Sequence, residues 1–136
     1  MTGLSATQLL TGAAPPVHRD TLVPSADVVA AEVGAAGWTV RWLPGAAVRD
    51  GVAFLAACGR ALDFPSWYGQ NWDALGDCLV DLSWLSSPGT ALLWPDSVAL
   101  AEADPAAWRL AFDVFASSAA TRAGLGRTPL HLLAPP

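Results

Sequence analysis

The sequence predicts a small α/β domain: a three-stranded parallel sheet packed with helices and preceded by an N-terminal extension. Two observations carry this expectation. Short apolar runs at 38–43, 90–94 and 129–133 have the length and composition of strands. Between them lie helical segments with recognisable start signals, and connections of that length favour parallel strands joined by crossovers. The clearest start is Asp104-Pro105, an N-cap followed by proline at the first helical position, where its missing N–H is not needed. The expected division is 1–37 for the extension and 38–136 for the α/β domain.

Taken in order, residues 1–24 show no sustained periodicity and carry Gly12, Pro15, Pro16 and Pro24, which predicts an irregular peripheral arm. Ser25 is a candidate N-cap for a helix over 26–36, stopped by Gly37. Residues 38–43 alternate, with Trp38, Val40 and Trp42 on one side, and Pro44-Gly45 supplies a turn. Asp50 can cap a second helix whose core side is Phe54, Leu55, Cys58, Ala61 and Leu62. A loop over 63–70 leads to a helix capped by Asn71 and ending near Leu82, with Leu75, Cys78, Leu79 and Leu82 on its apolar face. Pro95 halts the strand at 90–94. After Asp104-Pro105, the residues Trp108, Ala111, Phe112, Phe115 and Ala119 form a core stripe that ends at Gly124 and Gly126, before the last strand.

At 136 residues the chain is long enough for one hydrophobic core, and 53% hydrophobic against 14% charged residues excludes wholesale disorder. No apolar run approaches the roughly 20 residues that span a bilayer. The N-terminus lacks the basic residues that open a secretory signal, so a cytoplasmic monomer is expected. Cys58 and Cys78, without CxxC spacing, read as reduced core thiols. The formal net charge is −5, and from Ala61 to Trp108 there is no basic residue, against seven Asp and Glu in the same span. Such a surface repels nucleic acid, whose binding depends on cations that neutralise phosphates, and it attracts basic partners.

The chemistry concentrates in residues 64–84. Asp73, Asp77 and Asp81 recur at i, i+4 and i+8 and line up on one helix face. Like charges at that spacing cost a helix roughly 0.2–0.5 kcal/mol per pair, and no Lys or Arg neighbours them in sequence. A solvated face and the helix dipole account for Asp73, but Asp77 and Asp81 lie toward the end where the dipole disfavours anions. The row therefore suggests a cation from elsewhere: a metal, a basic substrate or a basic protein. Trp67, Tyr68 and Trp72 crowd the adjoining loop, a composition suited to an interface with aromatic anchors. Asp73, Asp77, Trp67 and Tyr68 are expected to border one solvent-facing surface, with Leu75 and Leu79 turned inward.

Catalysis has little support. His18 lies in the irregular arm, His131 lies mid-strand, and neither cysteine has an electropositive neighbourhood. Nucleophile-elbow, dinucleotide and P-loop motifs are missing from the sequence. A metal is poorly served by three short side chains on one helix, since i to i+8 spans about 12 Å. No catalytic residue, metal site or cofactor is expected.

The segment Phe64-Pro65-x-Trp67-Tyr68-Gly69-Gln70-Asn71-x-Asp73-Ala74-Leu75-x-Asp77-Cys78-Leu79 resembles the barstar family of intracellular ribonuclease inhibitors. From about Trp38 to Leu133 the order of elements agrees with a barstar-like fold, while 1–37 falls outside the resemblance. The resemblance implies that Asp77 falls on the family's central inhibitory aspartate and Asp73 on the aspartate one turn earlier. It likewise puts Trp67 on an interface tyrosine, and Tyr68, Gly69 and Asn71 on the framework of the inhibitory loop. Gln70 matches an acidic or amide position. The chain departs from the pattern at Gly76, where the family has a tryptophan, and at Ser117, flanked by Ala116 and Ser118, where it has a glutamate. Trp84 matches a further aromatic only with a shift of about two residues.

The expected function is a protein inhibitor, not an enzyme. It would block a basic ribonuclease or ribonuclease-like toxin through Trp67, Tyr68, Gly69, Gln70, Asn71, Asp73, Gly76, Asp77 and Asp81. The alternatives are a small hydrolase or metal-dependent enzyme using Asp73 and Asp77, and a non-inhibitory interaction scaffold of the same fold.

Overall fold

The computed structural model describes residues 17–18, 26–44 and 47–134. The three expected strands are present as β2 (Thr39–Trp42), β3 (Thr90–Leu93) and β4 (Leu130–Leu133). A fourth, β1 (Val17–His18), comes from the stretch expected to be irregular and makes the sheet four-stranded rather than three-stranded. The spatial order is β1-β4-β3-β2 and every pair is parallel, with Thr39 level with Thr90 and Thr90 with Leu130. Val17 and His18 pair with Leu132 and Leu133. The expected Ser25 cap, the Gly45 turn position and the rest of the arm lie outside the described residues.

The helices are α1 (Ala26–Ala35), α2 (Gly51–Ala61), α3 (Trp72–Asp81), α4 (Val98–Ala103) and α5 (Pro105–Gly124). Side-chain caps start three of them as their sequences require. Asp50 accepts from the Ala53 N–H at 2.8 Å, Asn71 from the Ala74 N–H at 2.8 Å, and Asp104 from the Ala107 N–H at 3.2 Å. The six-residue α4 was not expected: its N-cap Ser97 makes no capping hydrogen bond, so it carries no sequence signal of its own.

Alternation along β3 and β4 sends side chains to two different cores. Leu92, Leu130, Leu132 and Ala134 face the larger one, built on Phe54, Trp94, Phe112 and Phe115 with α2, α3 and α5. Phe54 lies 4.9 Å from Trp94, and Trp94 lies 5.8 Å from Phe112. Ala91, Leu93 and Leu133 face the other way, against Val29 and Val33 of α1, with Trp38 and Val40 at the margin. Strands covered on both faces read as continuous apolar runs, which is the pattern of β3 and β4. Of the three residues expected on one side of β2, Trp38 and Val40 join this second core while Trp42 remains exposed. Gly89, before β3, is required for space: an added Cβ would collide with the Trp38 indole.

Candidate functional site

Among the described residues, three non-glycine residues adopt left-handed backbone, and all three frame the segment singled out by the sequence. Asp63 (φ 55°) and Gln70 (φ 51°) bracket the loop, and Leu82 (φ 47°) closes α3. Such conformations cost about 1–3 kcal/mol each and persist where the surroundings over-determine them. Here the surroundings are aromatic. The Tyr68 hydroxyl donates to the Leu55 carbonyl at 2.9 Å, and its ring meets Phe64 edge-on at 4.7 Å. Gly59 admits that ring, since an added Cβ would approach Tyr68 Cε2 to 3.0 Å. Burial pushes the Tyr68 phenol well above its ordinary pKa.

Trp84 completes the frame. Its indole N–H donates to the Leu62 carbonyl at 2.8 Å, and its ring stands edge-on to Phe64 and Trp67. Tyr68 is thus half-buried framework rather than a fully presented ring, whereas Trp67 is 60% exposed and projects from the loop. Trp72 is turned toward the core, stacked 5.9 Å from Phe54. The only sequence signal for Trp84 as a support was its aromatic character just past the helix.

On α3, Leu75 and Leu79 are fully buried and Asp73 and Asp77 are exposed, with Gly69, Gln70 and Asn71 exposed beside them. At 1.5 Å per residue the two carboxylates stand about 6 Å apart along the axis. Neither is within ion-pair distance of a cation among the described residues, where Arg41–Asp63 at 3.3 Å is the sole ion pair. Gly76, partly exposed between them, has room on the side of α5: an added Cβ would meet nothing nearer than Ser118 Oγ at 3.9 Å. Ser117, the neighbour of Ser118 on α5, is exposed.

Asp81 differs from the other two, and here one expectation needs correcting. The row does not lack cations of its own chain, because the fold brings Arg122 and Arg127 to the C-terminal end of α3. Arg122 Nη1 donates to the Leu79, Val80 and Asp81 carbonyls at 3.3, 2.8 and 3.0 Å, and Arg127 Nη1 donates to Val80 at 2.7 Å. These carbonyls form the negative end of the helix dipole, so the guanidiniums neutralise the helix end rather than the carboxylates. Asp81 is partly buried and accepts from the Ser83 N–H at 3.3 Å. Asp81 lies within the field of Arg122 without pairing with it, whereas Asp73 and Asp77 have no cation within ion-pair distance among the described residues.

Cys58 and Cys78 are buried free thiols. Burial raises the pKa of both, and the Asp77 and Asp81 charges raise Cys78 further, so neither is a ready thiolate. Among the described residues, no group of three or more His, Cys, Asp and Glu is arranged to hold a metal ion, and no helix is long and apolar enough to cross a membrane. The surface that remains is suited to binding: one projecting tryptophan, a rigid loop and two unpaired carboxylates a helical turn apart.

No curated protein matches the chain. The family model described as Barstar (barnase inhibitor) matches residues 38–133, which span the site and every described strand but β1. With that match over most of its length, and with the acidic helix and aromatic loop inside the matched region, the chain belongs to the barstar family.

Proposed function

We propose that this protein binds a basic ribonuclease or ribonuclease-like toxin inside the cell and blocks its active site with α3 and the 64–70 loop. Ribonucleases surround the scissile phosphate with cations, because charge developing in the transition state needs stabilisation. Carboxylates one helical turn apart can occupy those phosphate positions and pair with the same cations. Asp77 is the central contact and Asp73 its companion, with Trp67 as the aromatic anchor. Gly69, Gln70 and Asn71 present the loop edge, Tyr68 holds it, and Asp81 contributes mainly to long-range attraction. Gly76 leaves room for a bulky group of the enzyme beside Asp77.

The observation that carries this reading is Asp77 itself: exposed, mid-helix and with no cation within ion-pair distance among the described residues. The test is calorimetric titration of the full chain with barnase, followed by inhibition of RNA cleavage. Stoichiometric binding that weakens steeply with salt and is lost in Asp77→Ala supports the proposal. Binding unaffected by Asp77→Ala defeats it.

A further inference from the structure

The groove at the C-terminal end of α3 has a charge arrangement that helix capping alone does not require. Arg122 and Arg127 donate to one and the same oxygen, that of Val80, which holds two guanidinium groups side by side. Arg122 is 4% exposed, and burial together with the Arg127 charge lowers its pKa. Neither arginine has a carboxylate within ion-pair distance among the described residues. The one carboxylate lining the groove is Asp81, so the two guanidiniums outnumber it. One buried charge held against a like charge is costly unless a counter-charge is supplied.

Arg122 is nearly spent, with Nη1 on the Leu79, Val80 and Asp81 carbonyls, Nε on the Thr128 carbonyl and Nη2 on Thr128 Oγ1, so the free donors of the groove lie elsewhere. Thr128 Oγ1 therefore accepts and keeps its own proton to give. Arg127 commits only Nη1, leaving most of its five-donor fork available. Ser83 and Ser86 line the same groove, and their hydroxyls have no partner among the described residues. A carboxylate would be satisfied by one planar guanidinium fork, whereas a tetrahedral oxyanion takes donors from several directions. The groove is open to solvent and offers about 380 Å³, more than a bare oxyanion fills.

We infer that this groove is a binding site for a phosphate group, held by the free donors of Arg127 with hydroxyls from Thr128, Ser83 and Ser86, while the buried Arg122 adds its charge from beneath. The site stands apart from Asp73 and Asp77 and does not depend on the proposed inhibition. The phosphate is either inorganic or that of a mononucleotide, whose sugar the remaining volume admits.

The test is thermal melting of the full chain at constant ionic strength, with chloride exchanged for inorganic phosphate or for adenosine 5′-monophosphate. A ligand that binds only the folded state raises Tm with its concentration. The expected result is a saturable rise of several degrees with phosphate. Arg127→Gln keeps a donor for Val80 but removes the charge, and should weaken the apparent affinity at least tenfold. A tighter response to the mononucleotide assigns the site to nucleotides, and an equal one assigns it to the free ion. Should Arg127→Gln fail to fold, amide shifts of the parent protein decide instead: saturable changes confined to Ser83, Ser86, Gly126 and Thr128 support the site. A Tm that follows chloride and phosphate alike, an unaltered response in Arg127→Gln, or shifts scattered over the surface would overturn it.

Discussion

The Tyr68 hydroxyl donates to the Leu55 carbonyl at 2.9 Å, tying the aromatic loop to the middle of α2. This bond and the Phe64 edge contact hold the backbone between the two left-handed residues Asp63 and Gln70. Tyr68→Phe keeps the ring and removes one part-buried hydrogen bond, worth about 0.5–1.5 kcal/mol. Urea unfolding should show a loss of that size, with amide exchange accelerated across 64–70 while α5 is unaffected.

Asp77 and Asp81 should separate in their effects. Asp77→Ala removes a charge between two like neighbours, so stability should hold or rise by a few tenths of a kcal/mol, roughly the size of an i,i+4 repulsion. Binding to the nuclease should fall by about 2–5 kcal/mol, because the enzyme's cations are left desolvated and unpaired. Asp81→Ala should slow association and leave the dissociation rate nearly unchanged. Thermal melts paired with stopped-flow and calorimetric titration resolve these outcomes.

Gly76→Ala should stabilise the protein by about 0.8–1 kcal/mol, the intrinsic helix preference of alanine over glycine. The backbone there has no positive φ, and the added Cβ would stand 3.9 Å from Ser118 Oγ, an ordinary contact. A fall in the denaturation midpoint would mean that α3 and α5 need the glycine for close approach.

Stability should decline in alkali. Cys58 and Cys78 have raised pKa values in the folded state, whereas unfolded thiols titrate near about 8.5. The unfolded chain therefore binds fewer protons above that pH. The contribution is complete below it and is lost as pH rises toward the folded values, by up to about 1.4 kcal/mol per pH unit per thiol. Melting between pH 7 and 10.5 should show the decline, and Cys58→Ala should flatten its slope.

Val33 tests the extension. It is fully buried where α1 covers the second sheet face, against a cluster containing Ala91, Leu93 and Leu133. Val33→Ala should cost about 2 kcal/mol, the scale of burying one such side chain. A neutral result by chemical denaturation would mean that α1 docks only loosely on the sheet.

Local interactions were legible in the sequence because they act between near neighbours. Asp50, Asn71 and Asp104 each cap an N–H three residues on, and Leu75, Cys78 and Leu79 face inward by helical spacing alone. The same logic made β3 and β4 readable as short apolar strands and Asp73 and Asp77 readable as an exposed pair. What the tertiary structure decided depends on groups far apart in the chain. β1 is two residues long, too short for any periodicity, and exists only through its pairing with the edge of β4. α4 is a short turn with no capping side chain. Trp84 supports the loop through a carbonyl 22 residues away. Arg122 and Arg127 reach the end of α3 from more than 40 residues beyond it, so an aspartate row that looks uniform in sequence is divided in space. Asp81 falls within the field of the two guanidiniums, and Asp73 and Asp77 stand away from it.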